Sequence, residues 1–175
     1  NDIPGSATFI SDEELQKFEF TDISRVLASV PGVYVQEEDG YGLRPNIGMR
    51  GTGTGRNDKI SVMEDGVLVA PAPYSAPSAY YFPTMGRMES IEVLKGAASV
   101  KYGPRTTGGV LNLLSRSLPT EANSSMGMVD AALGSDGYYK GHAYFAKEKN
   151  NTAGLIEVFS YGADGFKELP VGDDN

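Results

Sequence analysis

The chain has 175 residues, 40% hydrophobic and 22% charged, which is enough for one domain with a core and a short appendage and too apolar for a disordered chain. Its formal charge is 15 − 23 = −8, with no basic block, so the electrostatic footprint of a nucleic-acid binder is missing. It has no cysteine and one histidine, which excludes a disulfide framework, a thiolate metal site and a two-histidine zinc site.

Twenty-two glycines and ten prolines predict short elements and many loops. No run approaches the ~20 apolar residues of a membrane helix, and no signal peptide opens the chain. The first residue is Asn1 rather than Met, so a leader and further sequence are expected upstream.

Ser11-Asp12-Glu13-Glu14 has the capping-box pattern and predicts a short helix to about Lys17. A second helix is predicted from Thr21-Asp22, with Ile23, Val26, Leu27 and Val30 on one face. Pro31-Gly32 ends it, because the residue before a proline is disfavoured in helical geometry. The period then turns alternating. Val33–Val35, Ile47–Arg50 and Ile60–Met63 read as strands, and Asp65-Gly66 before Val67–Val69 is a hairpin signal, since a tight turn needs positive φ. Ser90–Lys95 and Val110–Leu114 complete a small mixed sheet of four strands, an α+β fold.

After Pro119 the texture changes. Met126–Leu133, Tyr138–Ala146 and Gly154–Tyr161 are separated by turn compositions and match the ~9–11 residues of a transmembrane β-strand. In the second, Tyr139, Gly141, Ala143 and Phe145 share one face and Lys140, His142 and Tyr144 the other. A soluble hairpin shows the same pattern. The domain boundary is placed at Pro119-Thr120, giving residues 1–119 and 120–175.

Gly51-Thr52-Gly53-Thr54-Gly55 has the glycine content of a phosphate loop, but it leads into a strand where nucleotide-binding loops lead into a helix. It is read as a flexible apex loop. The acidic pairs Glu37-Glu38 and Glu64-Asp65 sit on adjacent positions, which point different ways, whereas hydrolytic carboxylates face each other across a cleft. A hydrolase using Glu37 or Glu64 is the weakest reading, and the chain is expected not to be an enzyme. Three loops are better placed to bind, because loops on a rigid scaffold concentrate binding residues: Asp39–Arg44, Thr52–Asp58 and Pro71–Tyr81. Arg44 and Arg56 offer planar donors suited to carboxylates, and Tyr74, Tyr80 and Tyr81 offer aromatic contact.

Leu43–Gly51, Met63–Val67 and Met88–Gly96 with Tyr102-Gly103 and Gly108–Asn112 together resemble the plug domain of TonB-dependent outer-membrane receptors. The run from Pro31 to Ser115 looks closest to receptors for ferric dicitrate. The resemblance implies a plug inside a barrel of the 22-stranded class, located in the outer membrane of a Gram-negative cell, with loop apices that capture a ferric chelate and a segment that contacts TonB. It implies no resident cofactor, the iron chelate being cargo. The TonB-contacting box would lie upstream of Pro4, and no such motif stands in this chain. Arg50, and Lys95 where many relatives have arginine, are then expected to form plug-to-barrel ion pairs. An alternative is a sensing module that reports substrate occupancy to a periplasmic partner. With only three candidate barrel strands, the isolated fragment is expected to self-associate through its strand edges or leave them disordered.

Overall fold

A computed structural model describes residues 5–17, 20–38, 42–69 and 81–165 of the chain. The chain divides into two units, Asn1–Ser117 and Leu118–Asn175.

The first unit opens with β1 (Ser6–Ile10), followed by α1 (Asp12–Gln16) and α2 (Ile23–Leu27). In α1 the Ser11 hydroxyl accepts from the Glu14 amide while the Glu14 carboxylate accepts from the Ser11 amide, the full capping box. The Asp22 carboxylate caps α2 by accepting from the Ser24 amide at 2.8 Å. Ile23 and Leu27 are fully enclosed with Val26 buried beside them, but the helix ends at Leu27, short of the expected stop at Pro31, and Val30 is buried just beyond it.

The strands β2 (Val33–Gln36) and β3 (Asn46–Met49) pair antiparallel as a separate two-stranded ribbon. The main sheet contains β1, β4 (Ile60–Glu64), β5 (Val67–Leu68), β6 (Met88–Lys95) and β7 (Gly109–Ser115), in the order β1-β6-β7-β4-β5. It is mixed, because β4 runs parallel to β7 while the other neighbours are antiparallel. It holds five strands rather than four: β1, which no sequence signal announced, lies on the outer edge of β6, and the expected strands β2 and β3 stand outside it in their own ribbon. The central strand β7 buries both faces, which explains its nearly continuous apolar run Val110-Leu111-Asn112-Leu113-Leu114. One face of the sheet gives Val62, Ile91, Val93, Leu111 and Leu113 to the core that contains the α2 residues; the other packs Met63, Leu94 and Val110 with Tyr102.

The second unit is the antiparallel sheet β8 (Ser125–Leu133), β9 (Tyr139–Lys149) and β10 (Thr152–Gly162), with β9 central. Exposure alternates throughout β8 and along most of β9 and β10, with a break at Ala143-Tyr144. Val129, Leu133, Phe145, Ile156 and Val158 are all more than half exposed on one face, and Lys140, His142 and Glu148 are buried on the other. On that second face Lys140 pairs with Asp130 at 2.8 Å and His142 with Glu157 at 2.8 Å.

Candidate functional site

The loop after β3 is not loose. Its course is set by a series of hydrogen bonds to the β2–β3 ribbon. Tyr34 lies across from Gly48 in the strand register, and its hydroxyl accepts from the Gly53 amide at 2.9 Å. The Thr54 hydroxyl donates to the Gln36 side chain at 3.1 Å, the Arg56 amide donates to Asn46 Oδ1 at 3.0 Å, and Asn57 Oδ1 accepts from the Ile47 amide. Residues 52–57 are therefore strapped back along β3, which glycine alone would not predict. A 3-10 turn at Gly55–Asn57 follows, with Arg56 in the left-handed region at φ 50°, ψ 35°.

The strapping fixes the backbone of one sequence-predicted residue, Arg56, beside β3. Arg56 is bonded through its backbone to Asn46, and Arg44 stands two positions before Asn46; both arginines are exposed. Tyr74 and Tyr80 lie outside the described residues. Tyr81 is 45% exposed, but its hydroxyl is already engaged, donating to Glu64 at 3.3 Å and accepting from Arg87 at 2.9 Å. Arg87 also contacts Glu64 directly. Burial lowers the Arg87 pKa, and the hydrogen bonds and charges of Glu64 and Tyr81 outweigh it, so the pKa ends above the ordinary arginine value. A cavity of about 330 Å³ opens beside this cluster, lined by Glu64, Asp65, Val67, Leu68, Val69 and Tyr81. Sequence reasoning missed Glu64 and Arg87 as partners, because they are far apart in the chain and meet only through the sheet.

Arg50 and Lys95 meet at the opposite end of β3 and β6. Arg50 is exposed in a left-handed turn at φ 51°. Lys95 is buried and donates its ammonium to the Pro31 carbonyl at 2.7 Å. Burial lowers the Lys95 pKa, and the nearby Arg50 charge lowers it further. Two cations lie close together here with no acidic partner for either among the described residues.

The motif residues of the sheet are joined by a second network. The Gly66 amide donates to Asn112 Oδ1 at 2.9 Å, and the Asn112 amide group donates to Glu92 at 2.9 Å, so β4, β7 and β6 are cross-linked through side chains. Asp65 sits at φ 51° and Gly66 at φ 77°, the positive φ pair that the tight β4–β5 turn demands.

Residues 1–110 match the family model described as the TonB-dependent receptor plug domain. The chain belongs to the TonB-dependent receptor plug domain family. It is a receptor plug, not an enzyme. Among curated relatives, the plug is similar to the vitamin B12 transporter of Photobacterium profundum, 34% identical over 90% of this chain and 25% of the relative. It is also similar to that of Vibrio vulnificus, 29% identical over 77% and 21%. The chain thus spans about a quarter of the length of the curated relatives it matches. Among solved structures, the ferric yersiniabactin uptake receptor of Yersinia pestis shares the fold with a TM-score of 0.70 at 20% identity, over 89% of this chain and 24% of that one. A ferric citrate transporter in its unliganded form is 25% identical with a TM-score of 0.58, over 90% of this chain and 28% of that one.

Proposed function

We propose that the chain is the plug and opening barrel strands of an outer-membrane transporter that captures a ferric chelate rich in carboxylates, such as ferric citrate. The observation that carries this reading is the fastening of the loop that bears the exposed Arg56, which is held in place before any ligand arrives; Arg44, also exposed, stands two positions before its anchor Asn46. Guanidinium groups bind carboxylates in bidentate geometry, and a loop ordered in advance loses less freedom on binding. Tight capture alone only fills the site, so release into the cell needs work supplied from elsewhere, which is the part assigned to TonB.

The second unit supports the barrel part of the reading. A sheet with exposed aliphatic side chains on one face and paired charges on the other has the pattern of a barrel wall between lipid and a polar interior. Arg50 and Lys95 are then the residues that carboxylates of the barrel wall would meet, the iron chelate being cargo and no resident cofactor being required.

A vitamin B12 cargo is the second reading, favoured by the 34% identity to a vitamin B12 transporter. The test is titration of the full-length receptor with Arg44→Ala and Arg56→Ala. Each substitution is expected to lower ferric citrate affinity at least tenfold, about 1.4 kcal/mol, and to leave cyanocobalamin binding unchanged. Citrate affinity that is indifferent to both substitutions overturns the proposal.

A further inference from the structure

Backbone with positive φ is costly for residues other than glycine, and asparagine and aspartate are its ordinary tenants. In the second unit every such non-glycine position among the described residues follows that rule: Asn123, Asp136, Asn150 and Asn151. The plug unit breaks it, with Arg50, Arg56 and Arg105 in this region beside Asn57 and Asp65. Strain kept where a cheaper residue would fit points to a need for the side chain itself. Arg50 and Arg56 already have proposed roles. Arg105 has none.

Arg105 stands on a braced platform. The Ser99 hydroxyl lies within hydrogen-bond distance of the Gly96 and Thr106 carbonyls, at 2.6 and 2.9 Å. The Thr106 hydroxyl donates to the Gly103 carbonyl at 3.2 Å, and the Ser61 hydroxyl reaches the Pro104 carbonyl at 3.3 Å. Both residues flanking Arg105 are thereby fixed, while Arg105 itself is exposed. It forms no ion pair or hydrogen bond through its side chain among the described residues. No Asp or Glu occurs between Glu92 and Glu121, and Asp58, on the segment that enters β4 beside this loop, is paired with Lys59 at 3.3 Å.

We propose that Arg105 is an anion-contact residue whose ligand is a carboxylate. The amides of Ser99, Gly103 and Gly108 are spent on carbonyls of the protein, at 3.0, 3.3 and 2.8 Å, so these three cannot add to an amide nest of the kind that holds phosphate. A single planar fork suits a single carboxylate. That carboxylate comes either from the chelate or from an acidic side chain of the receptor. The first source rests on the function proposed above; the second does not.

The experiment compares the full-length receptor with its R105N, R105G and R105K variants, reading thermal midpoint and ferric citrate affinity. Asparagine and glycine relieve the backbone strain, so a purely structural Arg105 gives an equal or higher midpoint and unchanged affinity, and that result overturns the proposal. A tenfold or greater loss of affinity at an undiminished midpoint supports it and identifies the chelate as the source. A midpoint several degrees lower in R105N and R105G despite relief of strain, partly restored in R105K, supports it and identifies a receptor carboxylate. If the wild-type receptor does not bind ferric citrate at all, the substrate reading fails separately and the midpoint still decides the role of Arg105.

Discussion

Asp65 holds Ser115 with both carboxylate oxygens: Oδ1 accepts from the Ser115 amide at 2.8 Å and Oδ2 from its hydroxyl at 2.7 Å. Glu89 holds Ser117 with one oxygen, Oε2, which accepts from its amide at 3.0 Å and its hydroxyl at 2.7 Å. Between them Arg116 is buried, 3.7 Å from Asp12. The last three residues of the plug unit are thus each held by a different acid, from the β4–β5 turn, from α1 and from β6. The aspartate that sequence reading assigns to a hairpin turn therefore has a second task, fixing the end of β7.

Asp65→Asn preserves the turn, because asparagine tolerates positive φ, but it removes the charge that strengthens both bonds to Ser115. The pair is largely exposed, so the expected loss is about 1 kcal/mol. Urea denaturation of D65N, S115A and the double variant checks it, with a coupling energy of about 0.5 kcal/mol or more expected. Additive losses would show that the two residues do not act together.

Lys95 carries a pH prediction. Its folded pKa lies below the ordinary 10.5, so the unfolded state binds more protons in the window between the two values. Stability therefore rises with pH through that window, just below 10.5, and the penalty of the buried cation is fully present beneath it. Lys95→Met removes this contribution. The difference between wild type and K95M in denaturation experiments from pH 8 upward is expected to shift toward the wild type as pH rises; a difference that stays flat contradicts the assignment.

Gly48 has no room for a side chain. A Cβ there would overlap the Tyr34 ring and the Gly53 carbonyl oxygen. Gly48→Ala is expected to cost about 1–3 kcal/mol, the usual range for overpacking, and to displace Tyr34 from the loop that carries Arg56. In the full-length receptor it should then weaken chelate binding without removing any charge. Unchanged affinity in a folded G48A receptor would mean that the strap does not matter for capture.

Much of the plug was legible because its signals are local. The Ser11–Glu14 capping box, the α2 face and the Asp65-Gly66 turn each depend on residues within a few positions, and each formed as the spacing requires. β1 was missed because it is short and its partner β6 lies far along the chain, with Ser6 opposite Lys95. The ring of Glu64, Arg87 and Tyr81 was hidden for the same reason, as was the fastening of the glycine-rich loop. Nothing in Gly51–Gly55 announces that Tyr34, Gln36 and Asn46 will hold it down. Alternation in β8 to β10 was readable, but periodicity alone could not distinguish a soluble hairpin from a barrel wall; the exposed Val129, Leu133, Ile156 and Val158 favour the latter.

The most direct test of the central claim is calorimetric titration of the full-length receptor with ferric citrate, a ferric hydroxamate and cyanocobalamin, each at equal concentration. Saturable binding of ferric citrate, with the other two much weaker, is the predicted result. Binding of cyanocobalamin without binding of ferric citrate would leave the plug assignment standing and contradict capture of a carboxylate chelate.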